Sequence, residues 1–397
     1  MTAREWMNQA EQVMANTYKR FPILIERGRG CTLWDAAGRT YTDFVAGIAV
    51  CNLGHAHPKV AQTLSRQAET LVHVSNLYYT RPQTALAVWL VEHSFADKVF
   101  FCNSGAEANE AAIKLARKFF QDRDAPDRCR IIAMEQSFHG RTMAALSATG
   151  QEKIRAGYHP LLPGFDFVPF DDLDALAAKM GPHTAGVLLE PVQGEGGVRV
   201  PAADYLRGVA DLCRKNGSLL MLDEIQTGLG RTGALFAHQH TDVVPDIMTL
   251  AKALGNGLPI GAMLAGKKVA AAFGAGAHAS TFGGTPLVTA AALTVVETME
   301  ADNVVANARR MGAYFKQALL QLQRRHSVVK DVRGLGLLLG MRIAADGDAV
   351  VKCMMDKGFL INCIQGSILR FVPPLIVTSE EIDALTAALD ETLVQMS

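Results

Sequence analysis

The chain has 397 residues, of which 49% are hydrophobic and 20% are charged. These proportions are typical of a globular protein, and the length predicts two or three domains. Thirty-nine basic residues balance 39 acidic ones, so the formal net charge is zero. A neutral chain without a basic run gives no indication that nucleic acid or an anionic membrane surface is a partner.

The start of the chain and its cysteines favour a cytoplasmic protein. Charged residues stand near Met1 where a signal peptide needs an apolar core, and no apolar run approaches the length of a membrane span. The seven cysteines are scattered without CxxC spacing, so neither disulfides nor a zinc site is expected. His55-Ala-His57-Pro lacks a third ligand nearby and predicts a turn rather than a metal site.

In chain order, residues 1–54 predict a helix followed by a small antiparallel unit. Thr32-Leu-Trp-Asp and Arg39-Thr-Tyr-Thr-Asp-Phe alternate in polarity around a turn. From residue 55 to 290, short runs that are apolar throughout alternate with amphipathic helices. Such runs predict an α/β domain, in which helices cover both faces of a mostly parallel sheet. The runs are Val99–Cys102, Ile131–Met134, Val187–Leu189, Leu219–Leu222, Ile247–Leu250 and Ile260–Leu264.

Residues 291–397 are mixed again. Gly336–Met341 and Phe359–Ile364 predict strands, and Thr378 with Glu381 forms a capping box for a final helix. The two ends of the chain are each too small to hold a good core. We therefore expect residues 1–54 and 291–397 to pack together as one smaller α+β domain.

Two glycine motifs lead to different predictions. Ser104-Gly-Ala-Glu follows an apolar run and predicts a sharp turn into a capped helix, where backbone N–H groups and the helix dipole favour a phosphate. A simple capped turn explains these residues equally well. Gly228-Leu-Gly230-Arg-Thr-Gly233 matches the dinucleotide pattern, but five residues separate it from the preceding strand and no convincing helix follows. We interpret it as a loop and reject a nicotinamide cofactor.

Asp223 and Lys252 end two consecutive apolar runs, at the edge where ligands lie in open α/β sheets. A buried carboxylate needs a partner, which could be an arginine such as Arg231 or the protonated ring nitrogen of a cofactor. Burial lowers the pKa of a lysine and makes it nucleophilic, whereas the alternative is a lysine that extends to solvent. Because both side chains leave parallel strands at the same edge, we favour the interpretation that Asp223 and Lys252 belong to a reactive site.

Six motifs stand in order along the chain: Ser104-Gly-Ala-Glu-Ala-Asn-Glu, Phe138-His-Gly-Arg141, Glu190-Pro-Val-Gln-Gly-Glu195, Asp223-Glu-Ile-Gln226-Thr-Gly, Lys252-Ala-Leu and Ser280-Thr281-Phe-Gly-Gly-Thr-Pro. Over essentially its whole length the chain resembles the fold-type I, class III aminotransferases, in the subgroup that contains acetylornithine aminotransferase. The resemblance implies a mostly parallel sheet of the seven-stranded type, pyridoxal 5′-phosphate as cofactor, and a homodimer.

The resemblance also implies how the cofactor ring is held. Lys252 would be the catalytic residue, which holds the cofactor covalently and moves the substrate proton. Asp223 would pair with the pyridine nitrogen and Gln226 would contact the phenolic oxygen. Phe138 would stack on the ring and exclude water. Each of these roles is carried over from the family.

The phosphate would be held at the helix start. Ser104, Gly105 and Ala106 would form the cradle, in which Gly105 and Ala106 donate backbone N–H groups. Thr281 would reach the same phosphate from the neighbouring subunit. In this interpretation, only the dimer is active.

Two arginines would select the substrates, because a planar guanidinium matches a carboxylate bidentately. Arg141 resembles the family's clamp for the substrate carboxylate remote from the reacting amine, and Ser280 resembles a substrate contact carried with Thr281. Arg370 resembles the arginine that binds the α-carboxylate of glutamate or 2-oxoglutarate. Glu195 would pair with Arg370 and release it for these dicarboxylates, although a solvated loop charge is the simpler interpretation of a lone glutamate.

Ile48 bears on the substrate. Ornithine aminotransferases carry a tyrosine at this place, and an apolar residue suits an acetylated α-nitrogen. The resemblance thus favours N2-acetylornithine, with ornithine, succinylornithine and succinyl-diaminopimelate as alternatives. A pyridoxal-phosphate aminomutase and a non-catalytic relic of the fold are alternatives of other classes.

Overall fold

The computed structural model describes residues 1–396. A helix over Ala3–Val13 begins with a capping box between Thr2 and Glu5. Three antiparallel strands follow, which confirms the predicted N-terminal unit. They are β1 (Ile25–Arg29), β2 (Thr32–Asp35) and β3 (Thr40–Asp43).

The central sheet confirms the predicted α/β class. Its strands are β4 (Lys98–Cys102), β5 (Arg130–Met134), β6 (Phe165–Val168), β7 (Thr184–Leu189), β8 (Leu219–Asp223), β9 (Ile247–Leu250) and β10 (Gly261–Ala265). Seven strands stand in the order β4-β10-β9-β8-β7-β5-β6, and β10 runs antiparallel to both neighbours while the other pairs are parallel. Every residue of β7, β8, β9 and β10 is buried, because helices cover both faces.

Helices pack on each face of this sheet around separate apolar cores. Residues Gly105–Gln121 contribute to the core on one face, and Tyr205–Asn216 to the core on the other. No helix within residues 1–396 is both long and apolar enough to cross a membrane. The remaining α-helices are Pro58–Thr70, Arg81–Glu92, Met143–Ser147, Glu152–Arg155, Leu173–Lys179, Lys267–Ala270, Pro286–Ala301, Val304–Arg325, Gly347–Asp356 and Ser379–Gln395. A further short helical segment, Ala46–Ala49, has positive φ angles and is a left-handed turn.

The C-terminal part adds β11 (Val329–Leu335), β12 (Leu338–Ile343), β13 (Phe359–Leu360), β14 (Asn362–Ile364) and β15 (Ile368–Phe371). A four-stranded sheet has the order β11-β12-β15-β14, while β13 pairs in parallel with β3 and so joins the two ends of the chain. The domain boundaries at residues 54 and 290 stay a prediction.

Two of the predicted C-terminal strands need correction. The run Gly336–Met341 does not begin a strand at Gly336, because that glycine turns with φ +57° between β11 and β12. A Cβ at Gly336 would lie 2.3 Å from the backbone of Thr232, so this close approach requires glycine. The run Phe359–Ile364 divides into β13 and β14, which belong to different sheets. The final helix and its capping box at Thr378 are confirmed.

The glycine motif of residues 228–233 is a loop, as predicted, and only a 3₁₀ turn at Ala237–His240 follows. Within this loop Arg231 is fully buried and does not pair with Asp223. Its guanidinium donates to the carbonyl oxygens of Leu337 and Pro373 and to Oδ1 of Asn52. Arg231 therefore ties the large sheet's loops to both ends of the chain.

Candidate active site

A cavity of about 390 Å³ opens where β4, β7, β8 and β9 end. This is the edge at which parallel α/β sheets bind ligands, and the volume suits a small organic molecule. Most of the predicted site residues line it: Ser104, Gly105, Ala106, Phe138, Arg141, Glu195, Asp223, Gln226 and Lys252. Ser280, Thr281 and Arg370 lie outside this lining.

Lys252 follows the last residues of β9 and starts a 3₁₀ turn with φ +43°, a conformation that non-glycine residues rarely adopt. No hydrogen bond from its ammonium to another residue of the described chain is present. Burial lowers the pKa of Lys252, the Glu195 carboxylate opposes this shift and Arg370 adds to it, and the net pKa lies below the ordinary value. A lowered pKa favours the neutral amine, which is the nucleophilic form of lysine.

Asp223 ends β8 and is held by a hydrogen-bond network that the sequence did not indicate. Its Oδ2 accepts from Asn109 Nδ2 at 2.8 Å and pairs with His139 Nδ1 at 2.7 Å. Oδ1 accepts from the backbone N–H of Ile225 at 3.1 Å. The amide oxygen of Asn109 in turn accepts from Thr249 Oγ1. These contacts fix a buried carboxylate that faces the cavity beside Lys252.

Ser104 caps the helix that starts at Gly105, since its Oγ accepts from the backbone N–H of Glu107 at 3.2 Å. The first backbone N–H groups of a helix have no partner inside the helix, and those of Gly105 and Ala106 belong to residues that line the cavity. A Cβ at Gly105 would lie 2.8 Å from Ile225 Cδ1, so a larger residue would have to displace the Ile225 side chain. The predicted capping pattern is partly different, because the Glu107 carboxylate accepts from Asn103.

Glu190, which follows β7, is another residue that the sequence did not single out. Its two carboxylate oxygens accept from the backbone N–H groups of Phe138 and Gly194, both at 3.2 Å. Burial, together with the Asp223 charge, raises the pKa of Glu190 to about 7, although His139 opposes this. Glu190 thus joins the segment that carries Phe138 to the loop that carries Glu195.

Gln226 has a buried amide oxygen without a hydrogen-bond partner in the described chain. A Cβ at Gly194 would lie 1.9 Å from that oxygen, so the glycine leaves space for the amide. An unsatisfied buried amide beside an open cavity is a candidate contact for a polar ligand atom. The ring of Phe138 lines the same cavity, with the Arg141 guanidinium 5.7 Å from its centre.

Arg370 lies on β15 and its side chain is only 1% exposed. Its Nη1 donates to Glu195 Oε1 at 2.5 Å, and its Nε donates to Asn362 Oδ1 at 3.4 Å. Burial alone would raise the pKa of Glu195, but the Arg370 charge and hydrogen bond hold the pKa below its usual value. Arg370 therefore reaches the cavity wall through Glu195.

Ser280 and Thr281 do not line the cavity. Ser280 Oγ accepts from Asn103 Nδ2 at 3.2 Å, and Asn103 does line the cavity. Thr281 is exposed and precedes Phe282, whose side chain is 61% exposed.

No group of three or more His, Cys, Asp or Glu within residues 1–396 is arranged to hold a metal ion.

Comparison with known proteins identifies the family. The model of the aminotransferase class-III family matches residues 13–393. The chain belongs to the class-III aminotransferases. The fold-type I architecture and the family predicted from the six motifs are thereby confirmed, and the chain is an aminotransferase.

The similar proteins cover the full length of the chain. An acetylornithine aminotransferase of Methanocaldococcus jannaschii is 47% identical over 400 residues, with 100% of both chains covered. That of Gloeobacter violaceus is 51% identical and covers 96% of this chain and 95% of its own. Among solved structures, the ornithine aminotransferase of Toxoplasma gondii has a TM-score of 0.96 at 35% identity, covering 100% of this chain and 96% of its own.

Proposed function

We propose that this enzyme moves the δ-amino group of N2-acetylornithine to 2-oxoglutarate. The products are N-acetylglutamate 5-semialdehyde and glutamate, and the reaction belongs to arginine biosynthesis. The observation that carries the proposal is the ion pair of part-buried Glu195 with buried Arg370, near Lys252 and its lowered pKa. One enzyme that handles a monocarboxylate and then a dicarboxylate needs an arginine that is covered in one half-reaction and open in the other.

Pyridoxal 5′-phosphate is the cofactor in this proposal, and the cavity fits it. Lys252 would hold it covalently, Asp223 would keep its ring nitrogen protonated, and the unsatisfied amide of Gln226 would meet a ring substituent. Gly105 and Ala106 would donate N–H groups to its phosphate at the helix start. When bound, the cofactor withdraws electrons from the amine-bearing carbon of the substrate.

The chain's own residues carry the remaining steps. The Lys252 amine, with its lowered pKa, would take the proton from the δ-carbon of acetylornithine and return it on the cofactor side. Arg141, which is exposed at the cavity, would bind the α-carboxylate of acetylornithine, with Ser280 supporting this end through Asn103. Arg370 would leave Glu195 to bind the α-carboxylate of glutamate or 2-oxoglutarate.

We also propose a cytoplasmic homodimer in which Thr281 completes the neighbouring subunit's phosphate site. Large exposed apolar side chains, which monomers rarely gather in one region, support the dimer. Phe282 lies beside Thr281, and Tyr79 is fully exposed in the segment whose Asn76 donates to Ser280. All seven cysteines are free thiols, which suits a reducing compartment.

The test compares kcat/KM for acetylornithine, ornithine, succinylornithine and succinyl-diaminopimelate with 2-oxoglutarate as acceptor. We expect acetylornithine to give the highest value. We also expect Ile48→Tyr to shift preference towards ornithine. Ile48 is 45% exposed, and Val50, which directly follows its turn, lines the cavity. A higher value for free ornithine or succinyl-diaminopimelate in the wild type would refute the substrate. Activity without any keto acid would instead indicate an aminomutase.

A further inference from the structure

A turn with unusual backbone geometry lies between β3 and the cavity. Four consecutive residues have positive φ: Ala46 at +49°, Gly47 at +65°, Ile48 at +68° and Ala49 at +59°. Side chains with a Cβ disfavour this left-handed conformation, above all a β-branched one such as Ile48. Strain of this kind persists only where the surroundings over-determine it, and it concentrates at functional sites.

A buried clamp holds this turn. Asp43 Oδ1 accepts from the backbone N–H groups of Val45 at 2.8 Å and Ala46 at 2.9 Å, at the start of the turn. Asp43 Oδ2 lies 2.7 Å from His55 Nε2, so His55 holds the same carboxylate from the other side. Asp43 is only 2% exposed. The carboxylate therefore stabilises a backbone conformation that the residues themselves disfavour.

The end of the turn packs behind the Glu195–Arg370 pair. Ala49 is 1% exposed and belongs to a small apolar cluster with Val192 and Val198, which stand on either side of Glu195. The same cluster contains Ile368 and Val372, which stand on either side of Arg370. Ala49 thus shares one apolar cluster with residues from both segments that carry the pair.

The turn is also bonded directly to the segment that follows Arg370. The carbonyl oxygen of Phe44, one residue after Asp43, accepts from the backbone N–H of Val372 at 2.8 Å. On the cavity side, Val50 follows the turn and lines the cavity wall. Residues 46–49 and their flanking residues thus share contacts with the segments of both ion-pair partners and with the cavity wall.

We propose that Asp43 and His55 are positioning residues for binding of the dicarboxylate substrate. They hold the turn of residues 46–49 left-handed and, through Ala49, set the spacing between the loop of Glu195 and the strand of Arg370. The inference rests on the proposed function, since it concerns the half-reaction in which Arg370 binds a carboxylate. Neither residue touches the cavity lining itself, so both act through the turn.

The test measures an unreactive five-carbon dicarboxylate, glutarate, binding to the holoenzyme by calorimetry, next to KM for 2-oxoglutarate and acetylornithine. We expect Asp43→Asn and His55→Gln to weaken glutarate binding and raise KM for 2-oxoglutarate about tenfold. KM for acetylornithine should rise by a smaller factor than KM for 2-oxoglutarate, because Arg141 rather than Arg370 binds its carboxylate. Asp35→Asn is the matched control. Asp35 likewise accepts from two backbone N–H groups of a turn, those of Ala37 and Arg39, but in the neighbouring hairpin.

A second variant separates positioning from a loss of folding. Glycine adopts positive φ without cost, so Ala46→Gly added to Asp43→Asn should restore glutarate binding to within about threefold of wild type. Unchanged glutarate binding in Asp43→Asn, or no recovery on adding Ala46→Gly, would overturn the inference while wild-type transamination of acetylornithine upholds the proposed function. A wild-type holoenzyme that binds no glutarate would overturn the inference, and one that also fails to transaminate acetylornithine would overturn both.

Discussion

Replacing Glu195 with glutamine removes the charge that faces Arg370 and keeps the size of the side chain. The Arg370 side chain is 1% exposed and that of Glu195 is 29% exposed, with 2.5 Å between Nη1 and Oε1. Two opposite charges about 4 Å apart attract by about 4 kcal/mol at an effective dielectric constant of about 20. A substrate carboxylate that displaces Glu195 makes a similar ion pair with Arg370 and so recovers most of this attraction. Only the part of the attraction that is not recovered opposes substrate binding.

We take that remainder as about a third of the attraction, ~1.4 kcal/mol, which corresponds to a factor of about ten in affinity. Glu195→Gln should therefore lower KM for 2-oxoglutarate about tenfold. The same change leaves Arg370 with a weaker partner, so the free energy of unfolding should fall by about 2 kcal/mol in the absence of substrate. The substrate gains affinity from the interaction that the folded protein loses.

Steady-state kinetics with each substrate varied in turn, and urea unfolding of the same preparations, measure both effects. Asp166→Asn is the matched control. Asp166 lies on β6, at the sheet edge opposite β4, and its part-buried carboxylate pairs with Arg130 and Lys179. It should lower stability without changing KM for 2-oxoglutarate. An unchanged or raised KM for 2-oxoglutarate in Glu195→Gln would show that Glu195 does not compete for Arg370.

Three further changes have definite outcomes. Lys252→Ala should abolish turnover and the visible absorption of the purified holoenzyme; retention of either would contradict its catalytic role. Arg231→Met should lower the free energy of unfolding by about 3 kcal/mol in a urea titration, because it leaves three buried acceptors without a donor. The Asp43 hydrogen bond, with a further one to Cys51, raises the pKa of His55 from 6.5 to about 9 against the effect of burial. The stability lost in His55→Gln should therefore be full below pH 6.5 and vanish as the pH rises through 9; a pH-independent difference would count against an imidazolium.

Local patterns in the sequence predicted most of the central sheet, because strands buried on both faces are apolar throughout. β6 was not predicted, because Asp166 interrupts its apolar run and pairs with Arg130 at the sheet edge. β11 escaped for a similar reason: its residues alternate between buried and exposed and include charged side chains. Within the central sheet, strands could be predicted where burial is two-sided, and not at β6, where a charged pair interrupts the apolar run.

The active site divides in the same way. Asp223 and Lys252 were accessible to local reasoning, because each ends an apolar run at a known ligand-binding edge. The hydrogen bonds of Asp223 with Asn109 and His139 cross 114 and 84 positions, and no local pattern encodes them. The pairing of Glu195 with Arg370 crosses 175 positions and was predicted only through the family resemblance.

Backbone conformation marks the site in a further way. Glycine is the expected residue wherever φ is positive, yet Ile48, Lys252 and Asn256 adopt it around the cavity. Asn256 bonds the segment of the left-handed turn to the loop after Lys252, since its side chain accepts from Leu53 N and donates to Gly54 O. Natural sequences break local rules mainly where function requires a particular side chain in a particular place. These side chains would be lost if glycine occupied the positions, and one of them is Lys252, the residue proposed to hold the cofactor.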